Sequence, residues 1–208
     1  SSQEDGFALG RSIERLVGAS VDSIFDALKK SSGDPVRLQA LIREAKISLN
    51  YTLDPRWNTF ILSLSDTGEG MSIEYLNALR RDYKELQKPG LIGVRTYEAL
   101  YSMIGPAMAD NRWNEIEVVT RVLGTPQAYR FTTGRGDQPS VNDYFWQSDH
   151  GTRVTINGRS SRQRPQFAIE ADAGGAKNLQ SPVDESDAPF NGERLEMSLF
   201  DRGIDYVP

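Results

Sequence analysis

The chain has 208 residues, 38% hydrophobic and 25% charged, a size and balance that suit one large or two small globular domains. Its formal charge of −5 gives no global pull toward nucleic acid or anionic membrane. With no cysteine and a single histidine, His150, it offers no disulfide framework, no thiolate metal site and no His-rich zinc site.

Residues 1–10 read as a polar lead-in. From Arg11 to Lys30, the residues Ile13, Leu16, Val17, Val21, Ile24, Phe25 and Leu28 recur at helical spacing and give one face of a long amphipathic helix. The run Ser31-Ser32-Gly33-Asp34-Pro35 ends it. A second helix is predicted over 36–44, with Leu38, Leu41 and Ile42 inward. Then the period changes to two. Ile47, Leu49, Tyr51 and Leu53 alternate with Lys46, Ser48, Asn50 and Thr52, the pattern of a strand. Residues 54–58 turn, and 59–65 return as a second, more fully apolar strand, antiparallel to the first.

That second strand feeds directly into Asp66-Thr67-Gly68-Glu69-Gly70-Met71. An aspartate at the end of a buried strand costs free energy unless something hydrogen-bonds to it. Two glycines just after it allow a tight turn and a close approach by a ligand. The combination describes a pocket floor. Ser72 caps a helix from Ile73 to about Gln87, which Pro89-Gly90 stops. Gly90-Leu91-Ile92-Gly93 leads into a helix over 94–103, so free backbone N–H groups face an anion site at its start. Strands follow over 116–123 and 128–133, then a polar loop over 134–149, then a strand over 151–157. Residues 159–187 are polar without a period, and Asn191-Gly192 predicts a terminal hairpin reaching Leu199. The expected organisation is one domain over 1–158 and a tail over 159–208, packed on that domain or leading onward; the abrupt ends read as those of a fragment.

In order and spacing, these motifs resemble the GHKL superfamily, the nucleotide-binding fold of gyrase, the large heat-shock chaperone, histidine kinases and MutL. The matching parts are the long helix, the strand pair, Asp66-x-Gly68-x-Gly70-Met71, a helical lid, Gly90-x-x-Gly93 and Gly151-Thr152-x-Val154-x-Ile156. The resemblance spans about residues 10–157 and is closer to the chaperone, MutL and MORC side than to the kinases. It implies an α+β, two-layer α/β sandwich of Bergerat type: a mixed, mostly antiparallel sheet with helices on one face. It implies ATP and Mg²⁺ as cofactors. Asp66 would accept from the adenine amino group; Gly68, Gly70 and Met71 would adjoin the base. Gly90, Ile92 and Gly93 would face the phosphates, with Lys88 and Arg95 as further phosphate partners, and Thr152 would stand near Asp66.

One motif departs from the pattern. The family's first helix carries Glu-x-x-x-Asn, the water-activating base and a Mg²⁺ ligand. One alignment of residues 16–22 puts Arg15 and Ala19 at those positions; another register offers Asp22 as the metal ligand. Glu14 lies one residue from the expected base, but one helical residue is about 100° of rotation. Binding is therefore expected more readily than hydrolysis, with Glu14 and Asp22 as the candidate catalytic groups.

Other readings of the same residues are weaker. Asp66-Thr67-Gly68 is also the aspartic-protease triplet, but that chemistry needs a second such carboxylate and no other Asp-Thr-Gly occurs. A calcium loop would need oxygen side chains where Gly68 and Gly70 stand. His150 reads as a loop residue, and Trp57, Trp113 and Trp146 as packing anchors. The basic run 159–164 reads as a solvated loop, with nucleic-acid contact as its alternative. The expected function is an ATP-binding module whose lid closure switches a larger assembly, with slow or absent hydrolysis. The alternatives are an active ATPase of MutL, chaperone or MORC type, and a degenerate interaction scaffold. Expected partners are adenine nucleotide and other protein domains or a second copy. No apolar run approaches the roughly 18 residues of a membrane span, and no signal-peptide core is present, so a cytoplasmic protein is expected.

Overall fold

The computed structural model of the chain describes residues 2–54, 59–81, 85, 87–93, 100, 113–134, 138–159, 168–169, 179–180 and 193–200. A long helix, α1 (Ser2–Lys30), opens the chain. The segment read as a polar lead-in is thus helical; it contains no proline to interrupt the backbone ladder. A short helix, α2 (Pro35–Glu44), follows, with Pro35 in its first turn and the Asp34 side chain accepting from the Arg37 amide at 3.1 Å.

Two strands come next, β1 (Lys46–Asp54) and β2 (Thr59–Asp66), paired antiparallel from Ile47↔Asp66 to Asp54↔Thr59. Helix α3 (Ile73–Arg81) is capped by Ser72, whose hydroxyl accepts from the Tyr75 amide at 3.1 Å. Helix α3 is described as far as Arg81; residues 82–84 and 86, within the helix predicted to about Gln87, lie outside the described residues, and Glu85 and Gln87 have the tighter 3₁₀ geometry. Of the helix predicted over 94–103, only Leu100 lies within the described residues, and it is buried. Then come β3 (Trp113–Arg121), β4 (Ala128–Gly134), β5 (Ser140–Tyr144) and β6 (Gly151–Arg159). A two-residue pair, β7 (Ala168–Ile169) and β8 (Leu179–Gln180), precedes β9 (Glu193–Ser198).

Seven strands form one sheet in the order β5-β4-β3-β6-β2-β1-β9, and all six of its pairings are antiparallel. The parallel component of the expected mixed sheet is therefore absent from this sheet. The architecture is an α+β fold, a multi-stranded antiparallel sheet with helices on one face. Two strands depart from expectation. β5 lies inside the predicted polar loop; Ser140, Asn142 and Asp143 carry no apolar alternation, and the strand forms as the partner of β4. β9 falls within the predicted terminal hairpin but pairs with β1 of the main sheet; the Asn191-Gly192 turn lies outside the described residues.

The core lies between the helices and one face of the sheet. Ile13, Leu16, Val17 and Ile24 of α1 and Tyr75 and Leu76 of α3 meet Ile47, Leu49, Leu62, Leu64, Ile116, Val118, Val154 and Ile156. Period two puts every second strand residue there. Ile61, in the run read as fully apolar, falls on the opposite face and is half exposed, at 52%. Apart from the buried Val119, that face carries polar pairs: Glu117 pairs with Arg130 at 2.7 Å and Arg153 at 3.5 Å, and Ser63 faces Thr155 at 3.4 Å. Among the described residues, no helix is long and apolar enough to cross a membrane.

Candidate functional site

Across the three central strands β3, β6 and β2, the covered face is built in rows. Ile116, Ile156 and Leu62 stand side by side, then Val118, Val154 and Leu64. The next row is Thr120, Thr152 and Asp66. These three are as buried as the aliphatic rows, at 0%, 3% and 8% exposure. A polar row at that depth is unfavourable unless its groups are paired, and here every member is.

Asp66 closes β2 and receives donors from three directions. Ser20 Oγ of α1 donates to Oδ2 at 2.7 Å, and the Gly68 amide donates to Oδ1 at 2.9 Å. The Thr152 amide of β6 donates to the same Oδ1 at 3.3 Å. Burial pushes the Asp66 carboxyl up from its ordinary 3.8 to about 6; the three hydrogen bonds and nearby His150 act in the opposite direction. His150 Nδ1 stands 2.7 Å from the Gly68 carbonyl oxygen. A carbonyl only accepts, so this nitrogen carries the proton. His150 is therefore more than a loop residue beside a strand: it holds the turn that holds Asp66.

The turn after Asp66 is fixed by the elements around it. The Glu69 amide donates to Ser23 of α1, to its hydroxyl at 3.0 Å and its carbonyl at 3.1 Å. The Leu123 amide donates to the Glu69 carbonyl at 2.8 Å, and the Met71 amide donates to Thr120 Oγ1 at 2.8 Å. Two glycines are required by this packing. A Cβ on Gly68 would run into the Ser23 hydroxyl and lie 2.9 Å from Asp66 Oδ1. Gly70 has φ +86°, and a Cβ there would strike the Arg121 carbonyl. Both are needed to seat the turn between α1 and β3, before any ligand is considered.

Beside this turn lies an open cleft of about 600 Å³. Its walls are Ala19, Asp22, Ser23, Phe25, Asp26 and Lys29 of α1, Glu69 and Gly70 of the turn, and the 90–93 loop. Of the residues expected in a site, Gly70, Gly90, Ile92, Gly93 and Asp22 line the cleft together. Asp66, Gly68, Met71 and Thr152 stand behind its wall: Asp66 and Gly68 bond to or crowd against α1, and Gly93 packs against Met71, where a Cβ would lie 2.9 Å from Met71 Cγ. Glu14 is exposed on α1 and does not line the cleft. Lys88 pairs with Glu85 and borders a separate 300 Å³ groove against α3. Arg95 lies outside the described residues.

Gly90 and Gly93 both have positive φ, +90° and +102°, a backbone that non-glycine residues rarely adopt. Among the described residues, no group of three His, Cys, Asp or Glu side chains could hold a metal alone. Asp22 and Asp26, one turn apart on the cleft wall, are hard oxygen ligands that suit Mg²⁺, which takes one or two carboxylates and completes its shell with phosphate and water. The register of α1 follows from Ser20 meeting Asp66. With Ser20 there, Ala19 reaches the cleft and offers no ligand atom.

Ser20 and Thr120 were not singled out from the sequence. Thr120 had a signal: it continues the Ile116, Val118 alternation and so falls on the covered face. Ser20 had none beyond its place on the apolar side of α1. No protein-family model and no curated protein matches this sequence.

Proposed function

We propose that this chain is an adenine-nucleotide-binding module of the GHKL type, with a Bergerat-type fold, that closes on ATP to switch a larger assembly and hydrolyses it slowly or not at all. The observation that carries the reading is Asp66: a buried carboxylate at a strand end, beside a cleft of nucleotide size, held by donors from α1, its own turn and β6. A carboxylate has about four acceptor directions. Among the described residues three are used, two on Oδ1 and one on Oδ2, and an amino N–H would take a further direction on Oδ2.

The remaining parts have matching chemistry. The backbone of Gly90–Gly93, bent by two positive-φ glycines, can turn N–H groups toward a phosphate. Lys29 adds a cation to the cleft, and Asp22 would hold Mg²⁺ with the nucleotide supplying further oxygens. Mg²⁺ supplies charge neutralisation for the phosphates when bound. Hydrolysis needs a base beside the terminal phosphate. Ala19 offers no polar side-chain atom, Glu14 lies off the cleft, and Asp22 would be taken up by Mg²⁺, so the chemical step would lack about two to four powers of ten. Partner domains or a second copy would read the closed state, in the ATP-rich cytoplasm.

Calorimetric titration with ATP, ADP and a non-hydrolysable analogue, with and without Mg²⁺, tests this. The expected result is Mg²⁺-strengthened ATP binding that disappears in Asp66→Asn, with the variant still folded by circular dichroism. Steady turnover that is lost on changing Asp22 or Glu14 would instead make the chain an active ATPase. A scaffold reading has one observation in its favour: Asp66 is only 8% exposed and stands behind the wall of the cleft. Absence of any adenine-nucleotide binding by the wild type would establish that reading.

A further inference from the structure

The sheet face turned away from the helices gathers positive charge at one end. On that face Val119 of β3 has Arg130 of β4 on one side and Arg153 of β6 on the other, and Arg121 stands two residues further along β3. Val119 is buried there; the apolar stems of its two arginine neighbours are long enough to cover it while their guanidinium groups stay in water. Arg130 and Arg153 share one carboxylate, Glu117, and their side chains remain 40% and 32% exposed. Arg121 donates to two carbonyls, of Thr125 at 2.7 Å and Ser148 at 3.3 Å, which do not cancel its charge. Three arginines thus surround one carboxylate, with Glu115 in the row beyond it, on a chain whose net charge is −5.

Aromatic side chains border this patch. Tyr144 closes β5 in the row of Arg121 and Ala128, and Phe145 follows it at 88% exposure. Among the described residues, Phe145 is the one aromatic among the large exposed apolar side chains. The segment that carries it is tied at both ends: Tyr144 pairs with Ala128 before it, and Arg121 holds the Ser148 carbonyl after it. Two acids flank the segment. Asp143 is in register with Tyr129, on the helix-covered face, and Asp149 lies beyond the Arg121 contact.

A ring held at the surface beside such guanidinium groups combines two kinds of attraction. The arginines draw phosphate, and the ring offers a face on which an unstacked base can lie. A duplex keeps its base faces inside its own stack, so the ring favours a single strand. An acidic peptide would use the arginines and leave the ring without a partner. We propose that this end of the outer face, formed by β3, β4, β5 and β6, binds single-stranded nucleic acid, with phosphates on Arg121, Arg130 and Arg153 and a base on Phe145. The cleft is walled by α1 on the other side of the sheet, so the proposal does not depend on the nucleotide reading. Arg159, the first residue of the basic run read from the sequence, stands at the far end of β6 and is separate from this patch.

Fluorescence anisotropy of a labelled oligothymidine strand, titrated with the full chain at several salt concentrations, tests the proposal. Binding is expected, with log K falling against log salt at a slope of about −2, roughly 0.7 for each of the three arginines. Phe145→Ala, at a site exposed enough to leave folding intact, is expected to weaken binding at least about fivefold, whereas Phe145→Tyr keeps the ring and the affinity. Arg121→Gln should lower the slope by about 0.7. Glu117→Gln removes the carboxylate that Arg130 and Arg153 share and is expected to tighten binding, a gain that loss of structure does not imitate. A wild type that does not bind the strand overturns the proposal. A strand affinity unchanged in Phe145→Ala overturns it equally. Duplex bound as tightly as the single strand would show that no base is read by the ring, and polyglutamate bound as tightly would make the patch a dock for an acidic protein segment; either result overturns it. The nucleotide reading of the cleft stands or falls separately, on its own ATP titration.

Discussion

The covered face of β3, β6 and β2 changes character along its length. Two rows, Ile116–Ile156–Leu62 and Val118–Val154–Leu64, are wholly aliphatic; the next, Thr120–Thr152–Asp66, is wholly polar at the same depth. The strands, pairing and burial are shared, so the difference isolates side-chain chemistry. The aliphatic rows stabilise by leaving water, at about 25 cal/mol per Å² of apolar surface. The polar row gains little from burial and survives because Ser20, Gly68, Thr152 and Met71 satisfy its groups. One end of the face holds the fold, and the other uses that rigidity to hold a carboxylate in place.

Breaking the aliphatic end has the largest expected effect on stability. Leu62→Ala removes a fully buried side chain from the Ile116–Ile156–Leu62 row and is expected to cost about 2–5 kcal/mol, read from urea unfolding. Nucleotide affinity measured at temperatures where the variant is folded should change little, since Leu62 does not line the cleft.

At the polar end the sign reverses. The folded-state pKa of Asp66, raised to about 6, exceeds its ordinary value of 3.8. The native state therefore prefers the protonated carboxyl. Its contribution is complete below pH 4 and is lost as pH rises toward and through 6, a difference of about 3 kcal/mol. Asp66→Asn resembles the protonated form: its oxygen can accept from Gly68 and Thr152, and its amide can donate to Ser20. The variant should be more stable than wild type at pH 8, by up to about 3 kcal/mol, and the gap should close by pH 4. Denaturant midpoints at the two pH values check this. A gap that does not depend on pH would mean that the carboxylate is not destabilised by its burial.

The smallest effect is expected on the opposite, more polar face of the same strands. Glu117→Gln weakens the contacts with Arg130 and Arg153, which are partly exposed, and should cost no more than about 1 kcal/mol. A larger loss would mean that the two faces are more evenly matched in stability than their burial implies.

What could be read from the sequence follows the same division. Period-two alternation at Ile47 and Leu49 correctly marks inward residues of β1, because burial acts on each residue locally. The Asp66 turn was legible from its strand and its two glycines. Three things were not. β5 has no apolar pattern of its own and exists through its backbone bonds to β4. Ile61 looked buried by composition and sits outward by phase. Ser20 and Thr120 are hydroxyls on an amphipathic helix and a strand, and their role depends on what the fold brings opposite them, at sequence separations of 46 and 32 residues.

The pairing of β9 with β1 carries a consequence for how the chain reaches this state. Lys46 meets Ser198 and Tyr51 meets Glu193, contacts with a very large loop to close. Closing a loop on the order of 150 residues costs several kcal/mol of chain entropy before any bond repays it, so high-contact-order pairing of this kind forms late. Until it does, β1 is an edge strand, with unpaired N–H and C=O groups running from Lys46 to Tyr51. In that interval β1 is the natural template for pairing with another chain. The far C-terminal strand thus shields β1 against aggregation, in addition to adding a seventh strand.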